Sequence, residues 1–117
     1  MTRSMFKFAG IFALALALST AAEAHAKLNR AEPAVGSTVK SASQVTLEFS
    51  ESIEAKFSGA EIRNGSGARV DKGSNASGNA MHVDVGDLAP GTYSVKWHVL
   101  STDTHKTNGS FKFTVAK

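Results

Sequence analysis

The chain contains no cysteine. That excludes disulfides and any thiolate metal site, so packing or a bound ligand must hold the fold together. No apolar stripe of helical period runs beyond two turns, no internal repeat is visible, and after the first two dozen residues no hydrophobic segment of membrane-spanning length occurs. A formal charge of +3 with lysines scattered singly is no nucleic-acid signature. No nucleophile–base constellation and no phosphate-binding glycine loop is present. Methionine is scarce too: Met81 is the only one beyond residue 24, and one thioether cannot build a soft-ligand site.

What is there begins with an address label. Arg3 and Lys7 give a basic start, Ala9 to Leu18 form a short apolar run, and Ala22-Glu23-Ala24 has the small-x-small form that signal peptidase accepts. Residues 1–24 therefore read as a cleaved secretory signal, in preference to a retained anchor, for which the run is too short. Residues 25–117 remain as one domain with a modest core, expected to be a soluble, monomeric, periplasmic or secreted protein. Cleavage after Ala24 would make His25 the first residue.

Within that domain the hydrophobic period is two. Val45, Leu47 and Phe49 alternate with polar neighbours, as do Met81, Val83 and Val85, then Tyr93, Val95, Trp97 and Val99, and finally Phe111, Phe113 and Val115. Between these runs, NGSG at 64–67 and APG at 89–91 are turn chemistry, and GSNASGN at 73–79 reads as a flexible connection. Short strands with glycine-rich turns predict an all-β fold, a small immunoglobulin-like Greek-key β-sandwich or barrel. Tyr93, just after a Pro-Gly turn and at the head of the longest alternation, matches the tyrosine corner of such sandwiches, and Trp97 on the same face is expected at the core.

The chemistry gathers in two places. An N-terminal histidine carries two nitrogen donors, the α-amine and the imidazole Nδ1, which together can close a chelate ring. With ordinary pKa values near ~8 and ~6.5, both protons can be displaced at neutral pH by a strongly binding divalent ion. That pairing favours copper(II), which heads the divalent affinity series and prefers tetragonal nitrogen and oxygen sites. The second place is STDTHKTNG at 101–109, where Asp103 and His105 stand two apart and point the same way if the segment is extended. The expected metal ligands are thus His25, Asp103 and His105, holding one copper(II) ion per chain. A D-x-H pair standing alone is more often a surface hydrogen bond; the combination with His25 is what carries weight. By strand parity His82 and His98 oppose the apolar face and read as solvated, and Met81 reads as core.

These stretches resemble a known family. HAKLNRAEPAVGSTV, LEFSESIEAKFSGAEI and LAPGTYSVKWHVLSTDTHKTNGSFKFTV are similar to the CopC family of periplasmic copper-binding proteins over nearly all of residues 25–117. The resemblance implies a Greek-key β-fold with copper(II) held by the terminal amine and imidazole of His25 together with Asp103 and His105. It implies sequestration or delivery of copper in the periplasm, with an inner-membrane importer of the CopD type as one recipient. Two departures stand out. EIRNGSGARVDKG has neither methionine nor histidine where members with a copper(I) site carry both, which predicts the single copper(II)-site type. Lys106 follows the D-x-H motif where proline is common, and Ser52 likewise replaces a usual proline.

Two other classes stay open on the sequence. A copper-dependent polysaccharide monooxygenase also uses an N-terminal histidine on a β-sandwich, although four protein donors around copper leave little room for substrate chemistry. The other is a metal-free immunoglobulin-like interaction module in which His25 is incidental.

Overall fold

The computed structural model describes residues 26–117, so the expected signal segment and His25 lie outside the described residues. Strands β1 (Leu28–Glu32), β3 (Gln44–Phe49), β5 (Gly73–Ser77) and β6 (Ala80–Asp84) form one sheet in the order β1-β3-β6-β5. Strands β2 (Thr38–Val39), β4 (Gly59–Arg63), β7 (Gly91–Leu100) and β8 (Lys106–Val115) form the other in the order β2-β8-β7-β4. A short 3-10 turn, Ala55–Phe57, precedes β4. All pairings are antiparallel except β2 with β8.

The sandwich exists because alternation gives each sheet one apolar face. Val45, Leu47 and Phe49 of β3 and Met81 and Val83 of β6 are buried from one side, with Val95, Trp97 and Val99 of β7, Phe111, Phe113 and Val115 of β8 and Ile62 of β4 from the other. Each large side chain so buried stabilises by about 1.5–3 kcal/mol before entropy is counted. Phe49 meets Trp97 edge-on across the two sheets, with ring centroids 5.1 Å apart at 67°, which supports the core role expected of Trp97. The Tyr93 hydroxyl donates to the Ala89 carbonyl at 2.6 Å, the bond that defines a tyrosine corner. The expected all-β sandwich is thus observed.

Two regions differ from expectation. Residues 73–79 are no flexible connection: Gly73–Ser77 is an edge strand paired with β6 at five positions, returning through Gly78 at φ 63°. An edge strand needs ladder hydrogen bonds on one side only, and its polar side chains keep the free edge in water. Strand β8 also begins earlier than its apolar run, at Lys106. The inward position opposite Trp97 is Gly109, where a Cβ would lie 2.6 Å from Cζ2 of the indole. Glycine there makes room for the tryptophan and hides the alternation from a sequence reading.

Candidate metal centre

Strands β7 and β8 are joined by the five residues Ser101 to His105. The Thr104 amide donates to the Ser101 carbonyl at 2.9 Å, and the Ser101 amide to the His105 carbonyl at 2.9 Å. Thr104 takes φ 75°, the one non-glycine residue with positive φ among the described residues. A three-residue hairpin loop closing through a left-handed residue has this form. The segment is therefore a tight turn, and the condition under which spacing alone would align Asp103 and His105, an extended segment, is not met.

The turn nevertheless brings the two expected ligands together. His105 Nδ1 lies 3.3 Å from Asp103 Oδ1, with both side chains about half exposed at 45% and 50%. The Ser101 hydroxyl donates to Asp103 Oδ1. That bond, followed by the His105 ring, holds the Asp103 carboxyl below the usual carboxylate range, so it is ionised and ready as a donor at neutral pH.

Two further segments brace the turn. The Thr102 amide donates to the Ser52 carbonyl at 3.1 Å and the Glu54 amide to the Leu100 carbonyl at 2.8 Å. Ser52, remote from the expected ligands in sequence, thus holds their loop through its backbone. On the β8 side, the Thr107 hydroxyl donates to the Ala26 carbonyl at 3.0 Å. Ala26 is 2% exposed, and its neighbour Lys27 exchanges two 2.8 Å bonds with Ser50, amide to hydroxyl one way and amide to carbonyl the other. The chain next to residue 25 is therefore pinned to β8 two residues past His105. His25 itself lies outside the described residues.

The other histidines are elsewhere. His98 is exposed on the outer face of β7, as expected. His82 is half-buried, with Nδ1 3.1 Å from the Thr46 hydroxyl of the paired strand, so a cross-strand bond replaces part of the hydration expected there. Among the described residues no group of three or more histidine or acidic side chains is arranged to hold a metal.

Ser101, Thr107 and Ser52 carry roles that no ligand pattern assigns. For Ser101 a signal existed: positions 93, 95, 97, 99 and 101 share the inward parity of β7, so a serine there is a polar group on the apolar face.

Comparison with known proteins bears on the fold and the family. A family described as the CopC domain matches residues 28–116. Protein YobA of Escherichia coli K12 is 41% identical over 98 residues, covering 79% of each chain. Copper resistance protein C of Pseudomonas syringae pv. tomato is 32% identical over 118 residues, covering 92% of this chain and 94% of its own. The crystal structure of PcoC, a methionine-rich copper resistance protein from Escherichia coli, superposes with a TM-score of 0.70 at 34% identity, covering 80% of this chain and 100% of that one.

Proposed function

The chain belongs to the CopC family of copper resistance proteins, whose members bind copper without being enzymes, and from that premise we propose that it is a periplasmic carrier or store for a single copper(II) ion. The polysaccharide monooxygenase and the metal-free module lose their ground with the family assignment. In the proposed site, residues 1–24 are removed on export and His25 presents its α-amine and imidazole, while the β7–β8 turn supplies the His105 imidazole and the Asp103 carboxylate. Three nitrogens and one oxygen suit tetragonal copper(II). Filling the equatorial positions with protein donors favours holding the ion over chemistry on it.

The observation that carries this reading is the Thr107–Ala26 bond at 3.0 Å. It ties the chain one residue from His25 to the strand that begins just after His105, on the turn where Asp103 and His105 face each other at 3.3 Å. The scarcity of methionine supports the copper(II) form: PcoC is described as methionine-rich, whereas here Met81 alone stands beyond residue 24 and is 1% exposed in the core. Delivery to an inner-membrane importer of the CopD type is the corresponding fate of the ion.

The test is a copper(II) competition titration read by electron paramagnetic resonance, on protein starting at His25 and on a version with one glycine added before it. The extension keeps every side chain but removes the α-amine from its chelate with that imidazole. Tight binding of one copper with nitrogen-rich tetragonal signals, lost on extension, is the expected result. Equal binding by both, or by neither, would show that the terminal histidine is not the anchor.

A further inference from the structure

We infer that Ser101 is the positioning residue of this site: one buried hydroxyl fixes the Asp103 carboxylate and the His105 backbone relative to each other, and so sets the donor geometry offered to copper. The inference rests on the reading of Asp103 and His105 as ligands.

Ser101 is 0% exposed and is the buried polar residue among the described residues. A serine hydroxyl has one hydrogen and two lone pairs, and here both capacities go to the proposed ligands. The hydrogen goes to Asp103 Oδ1, and a lone pair accepts the His105 amide at 3.2 Å. The His105 carbonyl also lies 3.2 Å from the hydroxyl, but an ionised carboxylate is the stronger acceptor and takes the hydrogen. The Ser101 amide donates to that carbonyl at 2.9 Å instead. Three bonds from one residue therefore hold a ligand side chain and both polar backbone groups of the next ligand.

The place of that hydroxyl is set by the sandwich and not by the loop. Ser101 continues the inward parity of Val95, Trp97 and Val99 and bridges to the buried Ile53. Asp103 and His105, by contrast, are half exposed on a turn, where ordering a side chain when the ion binds costs free energy. A core-anchored hydroxyl pre-orders the Asp103 carboxylate and the backbone that carries the His105 ring. Outer-shell partners of metal ligands contribute in this way, and their loss typically weakens affinity about 10- to 100-fold.

The experiment uses chains starting at His25. Copper(II) affinity is measured for the unmodified protein, Ser101→Ala, Asp103→Ala, His105→Ala and the double variant Ser101→Ala/Asp103→Ala. Paramagnetic resonance spectra are taken of the copper-loaded forms, and amide hydrogen exchange is followed in the copper-free ones. Ser101→Ala should bind about 10- to 100-fold more weakly, with altered copper hyperfine coupling. Its His105 amide should exchange faster while the amides of Val95 and Phe113 keep their protection. In the Asp103→Ala background the further loss should shrink to less than about threefold, because most of the effect passes through that carboxylate.

If Asp103→Ala and His105→Ala both bind copper normally, the site itself is wrong and the inference falls with it. If they bind weakly and Ser101→Ala does not, the site stands and the positioning role is overturned. A loss of equal size with and without Asp103 would likewise overturn it in favour of a general effect on folding. Should Ser101→Ala not fold, the hydroxyl proton of Ser101 in the unmodified copper-free protein decides. Slow exchange that becomes faster in Asp103→Ala, where the 3.2 Å bond to the neutral His105 carbonyl is what remains, supports the role, and equal exchange in the two, slow or fast, overturns it.

Discussion

Two aspartates of this molecule are held in opposite ways. Asp71, just before β5, accepts from the Ile62 amide on Oδ1 at 3.0 Å and from the Arg69 guanidinium twice, Nε on Oδ1 at 3.1 Å and Nη2 on Oδ2 at 2.6 Å. Its side chain is 10% exposed. Asp103, on the β7–β8 turn, has a neutral hydroxyl and an imidazole as neighbours and is half exposed. Both carboxyls sit below their usual range, Asp71 mainly through Arg69 and Asp103 mainly through Ser101. Equal direction of shift therefore does not mean equal role. A carboxylate matched by a permanent cation is closed to other ligands, whereas one acidified by a hydroxyl keeps its charge for an ion that arrives later.

The comparison breaks most sharply on copper affinity. His105→Ala should weaken copper(II) binding by about 3 kcal/mol or more, taking one donor's share of the ~10–16 kcal/mol typical of a four-donor metal site. Asp103→Ala should lose less, since carboxylate is the weaker equatorial donor, and Asp71→Ala should lose nothing. Competition titrations of the three variants would show it. A drop with Asp71→Ala, or a larger one with Asp103 than with His105, would undo this ordering.

Stability should sort the two aspartates the other way round. Asp71→Ala strands the Ile62 amide and is expected to destabilise by about 1–3 kcal/mol in denaturant titration. Asp103→Ala should cost clearly less than Asp71→Ala, because the Ser101 hydrogen can turn to the His105 carbonyl 3.2 Å away.

The acid limb offers a finer test. Because the folded pKa of Asp71 is lowered, the unfolded chain binds the proton more tightly. The group therefore contributes stability that is present above its unfolded pKa of ~3.9 and is lost as pH falls through the lower folded value. Asp71→Asn should flatten the fall in stability below about pH 4, measured as thermal midpoint against pH. Asp103→Asn should flatten it less, its carboxylate being far more exposed to solvent screening.

How much of this the sequence carried follows from where neighbours lie. The alternations of β3, β6, β7 and the second half of β8 were readable because those stretches are buried on one face. Strands β1, β2, β4 and β5 sit at sheet edges, and β5 lacks the apolar pattern that period-two reading needs. Asp103 and His105 were picked out by residue type and placed on a loop or strand end, but the extended geometry on which their approach was made conditional is not what brings them together. What joins them is a turn closed by backbone bonds. Ser52 acts through its carbonyl and Thr107 reaches back across 81 residues to Ala26. Neither kind of contact leaves a mark in residue type or spacing.

The smallest expected effect probes that turn. Thr104 holds φ 75°, a left-handed conformation that disfavours a β-branched side chain by about 1–2 kcal/mol. Its amide closes the loop onto the Ser101 carbonyl, so the conformation is imposed by the hairpin that presents Asp103 and His105. Thr104→Gly removes the Cβ conflict but gives the unfolded chain more freedom, which offsets about 0.5–1 kcal/mol of the gain. The net should be a stabilisation of up to about 1 kcal/mol, read as a small rise in thermal midpoint, with copper affinity changed by less than about threefold because Ser101 still holds both proposed ligands. The same exchange at Thr102, whose φ is not positive, has no strain to relieve and should only destabilise. A clear fall in stability for Thr104→Gly would mean that the threonine side chain contributes more to the turn than its backbone strain removes.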